Sequence, residues 1–205
     1  MTFTDRLPLT RQRVADAALE FIDVHGLDGL SMRKLGAELG VEAMSLYNHV
    51  ENKADLLAAV ANTLFDDVLA AYGDPSGDWK VHARALSHAY VDVAASHPRA
   101  VSLLIHSPDH SGSASEFDRR IVAAARLMTN DDRVGALAFA TISNWVIGTI
   151  VQEHGLMGVR AAPEGDEADE RVADFQIAAQ NLTVDEPFNE GLEIVLAGLE
   201  ARYSA

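Results

Sequence analysis

From Thr10 onward, apolar residues recur at helical spacing. Val14, Ala18, Phe21 and Ile22 fall at i, i+4, i+7 and i+8, which predicts a helix burying one face and ending near His25 and Gly26. The glycine suits a left-handed cap, and Leu27 and Leu30 can fold back beneath the helix. Ser31 is placed to cap a short second helix in which Leu35 and Leu39 face inward while Arg33 and Lys34 point elsewhere. Gly40 ends it, a tight turn at Gly40-Val41-Glu42 follows, and a third helical stretch is expected from Ala43 to His49. Asn52 then caps a long fourth helix, with Asp55 in its first turn and Leu57, Val60, Leu64 and Val68 along its apolar face. The turn formers Tyr72 to Gly77 stop it.

Further helices are expected over Trp79 to Ser96, Pro98 to His106, Ser115 to Met128 and Arg133 to His154, and no strand pattern competes. The stretch from Gly155 to Asp174 carries six carboxylates against two arginines, and its first half reads as a solvated loop. A last helix opens at Pro187 and repeats Phe188, Leu192, Val195 and Leu199 on one side. The expected fold is all-α: an N-terminal three-helix domain over residues 1–54, joined by a long helix to a helical domain over residues 55–205.

Composition narrows the chemistry. With no cysteine there is no disulfide framework, thiolate metal site or thiol nucleophile. Apolar stretches broken by Gly, Asn, His or charge before the ~20 residues of a membrane span point to a cytoplasmic protein with no membrane partner. A net charge of -15 argues against non-specific coating of nucleic acid, because phosphate binding rests on Lys and Arg. Through Val60 there are six basic residues against nine acidic, so the first segment is the less repulsive one for a polyanion without being a basic patch.

Two short helices joined by a glycine turn have the form of a helix-turn-helix whose second helix enters the major groove. Met44, Ser45, Tyr47, Asn48 and His49 are its exposed candidates, with Leu46 and Val50 anchoring it from beneath. Tyr47 and His49 combine reach with a polar tip, and Lys53 adds a cation at the start of the next helix. Taken singly, each residue also fits packing or a solvated face.

At Leu9-Thr10-Arg11, His25-Gly26-Leu27, Leu30-Ser31-Met32-Arg33-Lys34-Leu35, Gly40-Val41 and Leu46-Tyr47-Asn48-His49-Val50 with Lys53, the chain resembles the Tet-repressor family. The resemblance implies a homodimer inserting Ala43 to His49 of each subunit into successive major grooves of double-stranded operator DNA. It implies base contact by Arg33, Ala43, Met44 and Asn48, and phosphate contact by Tyr47, His49 and Lys53, with Ser31, Lys34 and Ser45 in the same DNA-binding set. Ala43 and Met44 can make only apolar base contacts, such as one to a thymine methyl.

Trp145-Val146-Ile147-Gly148 to Gln152-Glu153, and Phe188-Asn189-Glu190-Gly191-Leu192, are similar to the regulatory domains of that family. The likeness implies that the last two long helices pair with their twofold mates. Phe188, Leu192, Val195 and Leu199 are then the expected dimer stripe, with burial in the subunit's own core as the other reading; Gly191 and Gly198 would permit close helix approach. A small-molecule inducer is expected among the middle helices, with Trp79, His88, Phe117, Phe139, Asn144, Trp145 and Gln152 as candidate lining and core packing as the alternative. His106-Ser107-Pro108-Asp109-His110 offers two imidazoles and a carboxylate, but Pro108 breaks a helical i, i+4 arrangement and no metal is expected. No catalytic or cofactor motif is present, so neither an enzyme nor a cofactor is expected. The expected function is a ligand-responsive repressor, with a helical interaction protein that has lost DNA binding as the runner-up.

Overall fold

The computed structural model describes residues 8–106, 111–153 and 185–203. The acidic stretch 155–174 lies outside the described residues. Among the described residues the chain forms nine α-helices and no strand, as the periodicity predicts.

Helix α1 (Arg11–His25) starts where the Thr10 side chain accepts from Arg13 N–H and ends at Gly26, φ 78°. A 3-10 turn, Leu27–Gly29, leads to α2 (Met32–Leu39), capped by the Ser31 hydroxyl on Lys34 N–H and closed by left-handed Gly40. Helix α3 is only Ala43–Leu46; the chain then turns through Tyr47 to His49, shorter than the expected helix. Helix α4 (Lys53–Tyr72) is capped by the Asn52 side chain on Asp55 N–H. Its large, fully buried side chains are Leu56, Val60, Leu64 and Val68, so Leu56, not Leu57, begins the inward row.

The remaining helices are α5 (Trp79–Ser96), α6 (Val101–Ile105), α7 (Gly112–Met128), α8 (Asp132–Glu153) and α9 (Asp185–Tyr203). Helix α6 is shorter than expected because His97 to Ala100 forms turns, and Pro187 sits at the third position of α9, not the first. One continuous hydrophobic core runs from Val14 and Leu35 through α4 to Leu104, Ile150 and Leu196.

The last helix overturns one expectation. Phe188, Leu192 and Leu199 are already buried inside the subunit, with Leu196 fully buried beside them and Val195 packed partly against the same core. They are core residues, not the dimer stripe: the row 188, 192, 196, 199 is the face that α9 turns to its own chain. Ion pairs of Arg84 with Glu193 and Lys80 with Glu200 fasten α9 to α5.

By length and composition, α8 is apolar enough to cross a membrane, which the sequence reading did not expect. Its apolarity has two local uses. Phe139, Ile142, Val146 and Ile147 line a partly open cavity, while Leu137, Ala140 and Gly148 face outward.

Candidate DNA interface and ligand cavity

The helix-turn-helix is built on a close approach. A Cβ added at Gly36 would stand 2.9 Å from Val41 O and 3.2 Å from Ala43 Cα, so only glycine lets the start of α3 pack on α2. Leu46 and Val50 are buried beneath α3 and its following turn, leaving Met44, Tyr47 and Asn48 exposed and Ala43, Ser45 and His49 half-buried. Arg33 and Lys34 are exposed on α2. The ammonium groups of Lys34 and Lys53 converge on adjacent carbonyls, Gly29 O at 2.9 Å and Leu30 O at 2.8 Å. The DNA-binding candidates thus come together on one small unit, with Ser31 acting as a cap and Lys53 also serving as a strut.

A second brace was not legible in the sequence. The Arg11 guanidinium bonds both Asp55 carboxylate oxygens and the His49 carbonyl, tying α1 to the reading turn and the start of α4. The arginine, together with the Glu51 N–H that Asp55 also accepts, lowers the Asp55 carboxyl from its ordinary 3.8 to about 2 despite some desolvation.

Further along α4, Asn62 accepts Ala114 N–H and Asp66 accepts the Ser113 hydroxyl, clamping the first turn of α7. At Gly112, φ 57°, a Cβ would lie 2.8 Å from the Asn62 side chain. His97 reaches Asp23 at 2.8 Å, and Arg99 donates to the Asp23 and Val24 carbonyls, fastening the end of α1 to the α5–α6 connection.

A cavity of about 360 Å³ lies among α4, α5, α6, α7 and α8. Trp79, Phe117 and Phe139 line it as expected. His88, Asn144, Trp145 and Gln152 do not. His88 is exposed and meets the Phe188 ring edge-on at 5.2 Å; Asn144 and Gln152 are exposed on the outer face of α8; and Trp145 donates its indole N–H to Phe188 O, filling the α8–α9 contact. The helical phase of α8 explains the error, because the positions on the adjoining side of the helix, 142, 143, 146 and 147, face the cavity.

The sequence reading missed Phe65, Ser87 and Tyr90. Tyr90 donates to Leu104 O at 2.7 Å, and burial pushes its phenol well above the ordinary range, so it is a neutral donor. Of the His106 to His110 segment only His106 is described, and among the described residues no group of three His, Asp or Glu could hold a metal.

A glycine-turned helix pair with an exposed reading row, braced onto a long helix that walls an apolar cavity, defines a helix-turn-helix regulator with an effector domain. The family described as "Bacterial regulatory proteins, tetR family" matches residues 14–60, from α1 into α4. An HTH-type transcriptional regulator of Saccharopolyspora erythraea is 32% identical over 208 residues, covering 94% of this chain and 85% of that protein. The HTH-type transcriptional repressor DrrR1 of Streptomyces coeruleorubidus is 31% identical over 68% of this chain, and the match spans about half of that protein (52%). Among solved structures, the TetR family protein ActR of Streptomyces coelicolor in complex with (S)-DNPA superposes with a TM-score of 0.75 at 25% identity, covering 95% of this chain and 98% of that one. BioQ with its double-stranded DNA operator superposes with a TM-score of 0.65 at 26% identity, covering 95% and 99%. The chain belongs to the TetR family and is a ligand-responsive, DNA-binding transcriptional regulator.

Proposed function

We propose that the protein is a homodimeric repressor, acting in the cytoplasm, whose two α3 heads bind operator DNA and which a small molecule in the cavity releases. The observation that carries this reading is the position of α4. Its first turn holds Lys53 and Asp55 against the reading head, its middle holds Asn62 and Asp66 against α7, and Phe65 on its inner face lines the cavity. A ligand that prefers one setting of α7 therefore biases the setting of the head, and DNA affinity and ligand affinity are coupled reciprocally. We place the division between reading and regulatory domains at residues 54 and 55, inside this shared helix.

DNA contact falls to Arg33, Lys34, Met44, Tyr47, Asn48, His49 and Lys53, with Ala43 and Ser45 close against the groove and Ser31 holding α2. The dimer forms through the outer faces of α8, with Leu137, Thr141, Asn144 and Gly148, and of α9, with Ile194, Ala197, Gly198 and Ala201, all exposed or open in the single chain. Ile194 is 71% exposed, a cost that a twofold mate removes.

Immunoprecipitating the protein with its genomic fragments identifies the operator. A fluorescent duplex of that sequence should then bind with a stoichiometry of one dimer, and lose the protein when an effector is added. A chain that binds no fragment above the background of scrambled DNA overturns the reading.

A further inference from the structure

We propose that Ser87 is a polar anchor in the cavity, and that the cavity takes a flat, polycyclic aromatic ligand carrying a carbonyl oxygen on its rim. This deepens the effector reading above and rests on the cavity being a ligand site. Helix α5 turns Trp79, Ala83, Ser87 and Tyr90 to the cavity at i, i+4, i+8 and i+11, one face of the helix. Ser87 is only 4% exposed, a buried polar residue in an otherwise apolar core. Among the described residues its hydroxyl has no hydrogen-bond partner.

Other helical hydroxyls of this chain are served locally. Thr63, Ser96, Thr141 and Thr149 each donate to the carbonyl four residues back in their own helices. Ser87 has the Ala83 carbonyl at the same spacing and does not use it, so its hydroxyl is left to whatever occupies the cavity.

The neighbouring surface says what shape that occupant has. Tyr90, one turn on from Ser87, belongs to a wall of three rings. Phe65 to Phe117 is 5.2 Å, Phe117 to Tyr90 is 5.7 Å and Phe65 to Tyr90 is 6.4 Å between ring centroids. The rings tilt against one another by 37° to 61°, so a flat ligand stacks on one of them and meets the others at their edges. Tyr90 donates to Leu104 O at 2.7 Å, which fixes its ring and commits its proton. Side chains three positions apart on a helix are neighbours, with Cβ atoms about 5–6 Å apart, so the rim of a ring system lying against Tyr90 comes within reach of Ser87. The cavity volume, about 360 Å³, stands near the lower end for small-molecule sites and suits a few fused rings.

A hydroxyl brings one proton and two lone pairs, and in buried sites an unmet donor is rarer than an under-used acceptor. A carbonyl oxygen on the ligand meets that proton. A rim of carbon alone would shut the hydroxyl off from water and return nothing.

The test compares 9-fluorenone with fluorene, two flat tricyclic molecules that differ by a carbonyl in place of a methylene. Binding of each to the full-length protein is measured by equilibrium dialysis. Transfer from water alone favours the hydrocarbon. The ketone should nevertheless bind about fivefold more tightly, on the order of one neutral buried hydrogen bond. Ser87→Ala, which suits a helix, should abolish or reverse that preference. Ser143→Ala, at a half-buried lining position on α8 that water can serve, should change it by less than about twofold. A preference for fluorene in the parent protein, a ratio untouched by Ser87→Ala, or a preference lost only in Ser143→Ala overturns the anchor. Failure of both compounds to bind overturns it as well. The effector reading is scored separately, by release of the operator duplex on adding the ketone: Ser87-dependent binding without release keeps the anchor and overturns the effector role.

Discussion

Gly191 lies directly under the indole of Trp145: a Cβ on that glycine would stand 1.9 Å from Trp145 Cζ2. The indole also donates to Phe188 O, so one side chain joins α8 to α9 by packing and by a hydrogen bond. On an open helix face Gly→Ala gains up to about 1 kcal/mol of helix propensity. Here overpacking wins, and Gly191→Ala should destabilise by about 1–3 kcal/mol in denaturant melts. Adding Trp145→Leu should recover part of the loss. Stabilisation by the single substitution would show that α9 does not approach α8 this closely.

The two faces of α9 give opposite outcomes with the same substitution. Ile194→Glu places a charge on the outer face and should yield folded monomers by sedimentation, with operator affinity reduced because two half-sites no longer bind as one unit. Leu192→Glu buries that charge in the subunit and should prevent folding. A folded, dimeric Ile194→Glu protein would move the interface elsewhere.

This contrast marks what the sequence could and could not supply. Helix positions were legible because caps such as Thr10, Ser31 and Asn52 and stops such as Gly26 and Gly40 act locally. The apolar row of α9 was legible as a row, but a row does not say whether its partner is α8 of the same chain or a mate. The lining of α8 was misphased by one helical side for the same reason: both sides are apolar, and periodicity cannot rank them. The braces Arg11–Asp55 and Asn62–Ala114 join residues 44 and 52 positions apart and leave no local signal.

Gly36 separates fold from function. Gly36→Ala lies mid-helix, where propensity alone would favour alanine, yet its Cβ meets Val41 O and Ala43 backbone atoms that cannot rotate away. The reading helix must shift by a few tenths of an ångström or more. Operator affinity should fall at least about tenfold, since reading depends on placement of α3, while ligand binding in the distant cavity is retained. Unchanged operator affinity would show that the α2–α3 contact is slack.

The Arg11–Asp55 pair sets an acid limit on the reading head. Because the folded carboxyl titrates near 2 and the unfolded one near 3.8, the pair contributes fully above about pH 4, and its contribution is lost as pH falls from there through 2. Both side chains are partly exposed, so screening reduces the contribution to on the order of 1 kcal/mol. Asp55→Asn should lower the thermal midpoint at pH 7 and lower it much less at pH 2, where the folded carboxyl is half protonated. An equal loss at both pH values would assign the effect to the Glu51 N–H contact rather than to charge.

The reading head should show two kinds of failure. Met44 is 75% exposed and uncharged, so in the proposed reading Met44→Ala removes only contacts to base edges. It should relax discrimination at particular base pairs by on the order of 1–3 kcal/mol while the slope of log affinity against log salt stays put. Lys53 differs because its ammonium group donates to Leu30 O and is thereby held beside that of Lys34 on Gly29 O, a fixed pair of cations at the base of the head. Lys53→Ala should weaken matched and mismatched duplexes alike and flatten the salt slope by about one unit for each phosphate that a subunit no longer neutralises, because fewer counterions are released. Lys53→Met keeps the aliphatic stem and separates charge from packing: it should flatten the slope equally while costing less stability. Titrating all three variants against operator and scrambled duplex at two salt concentrations decides the matter, and a Lys53→Ala protein that loses sequence preference but keeps its salt slope refutes the phosphate role.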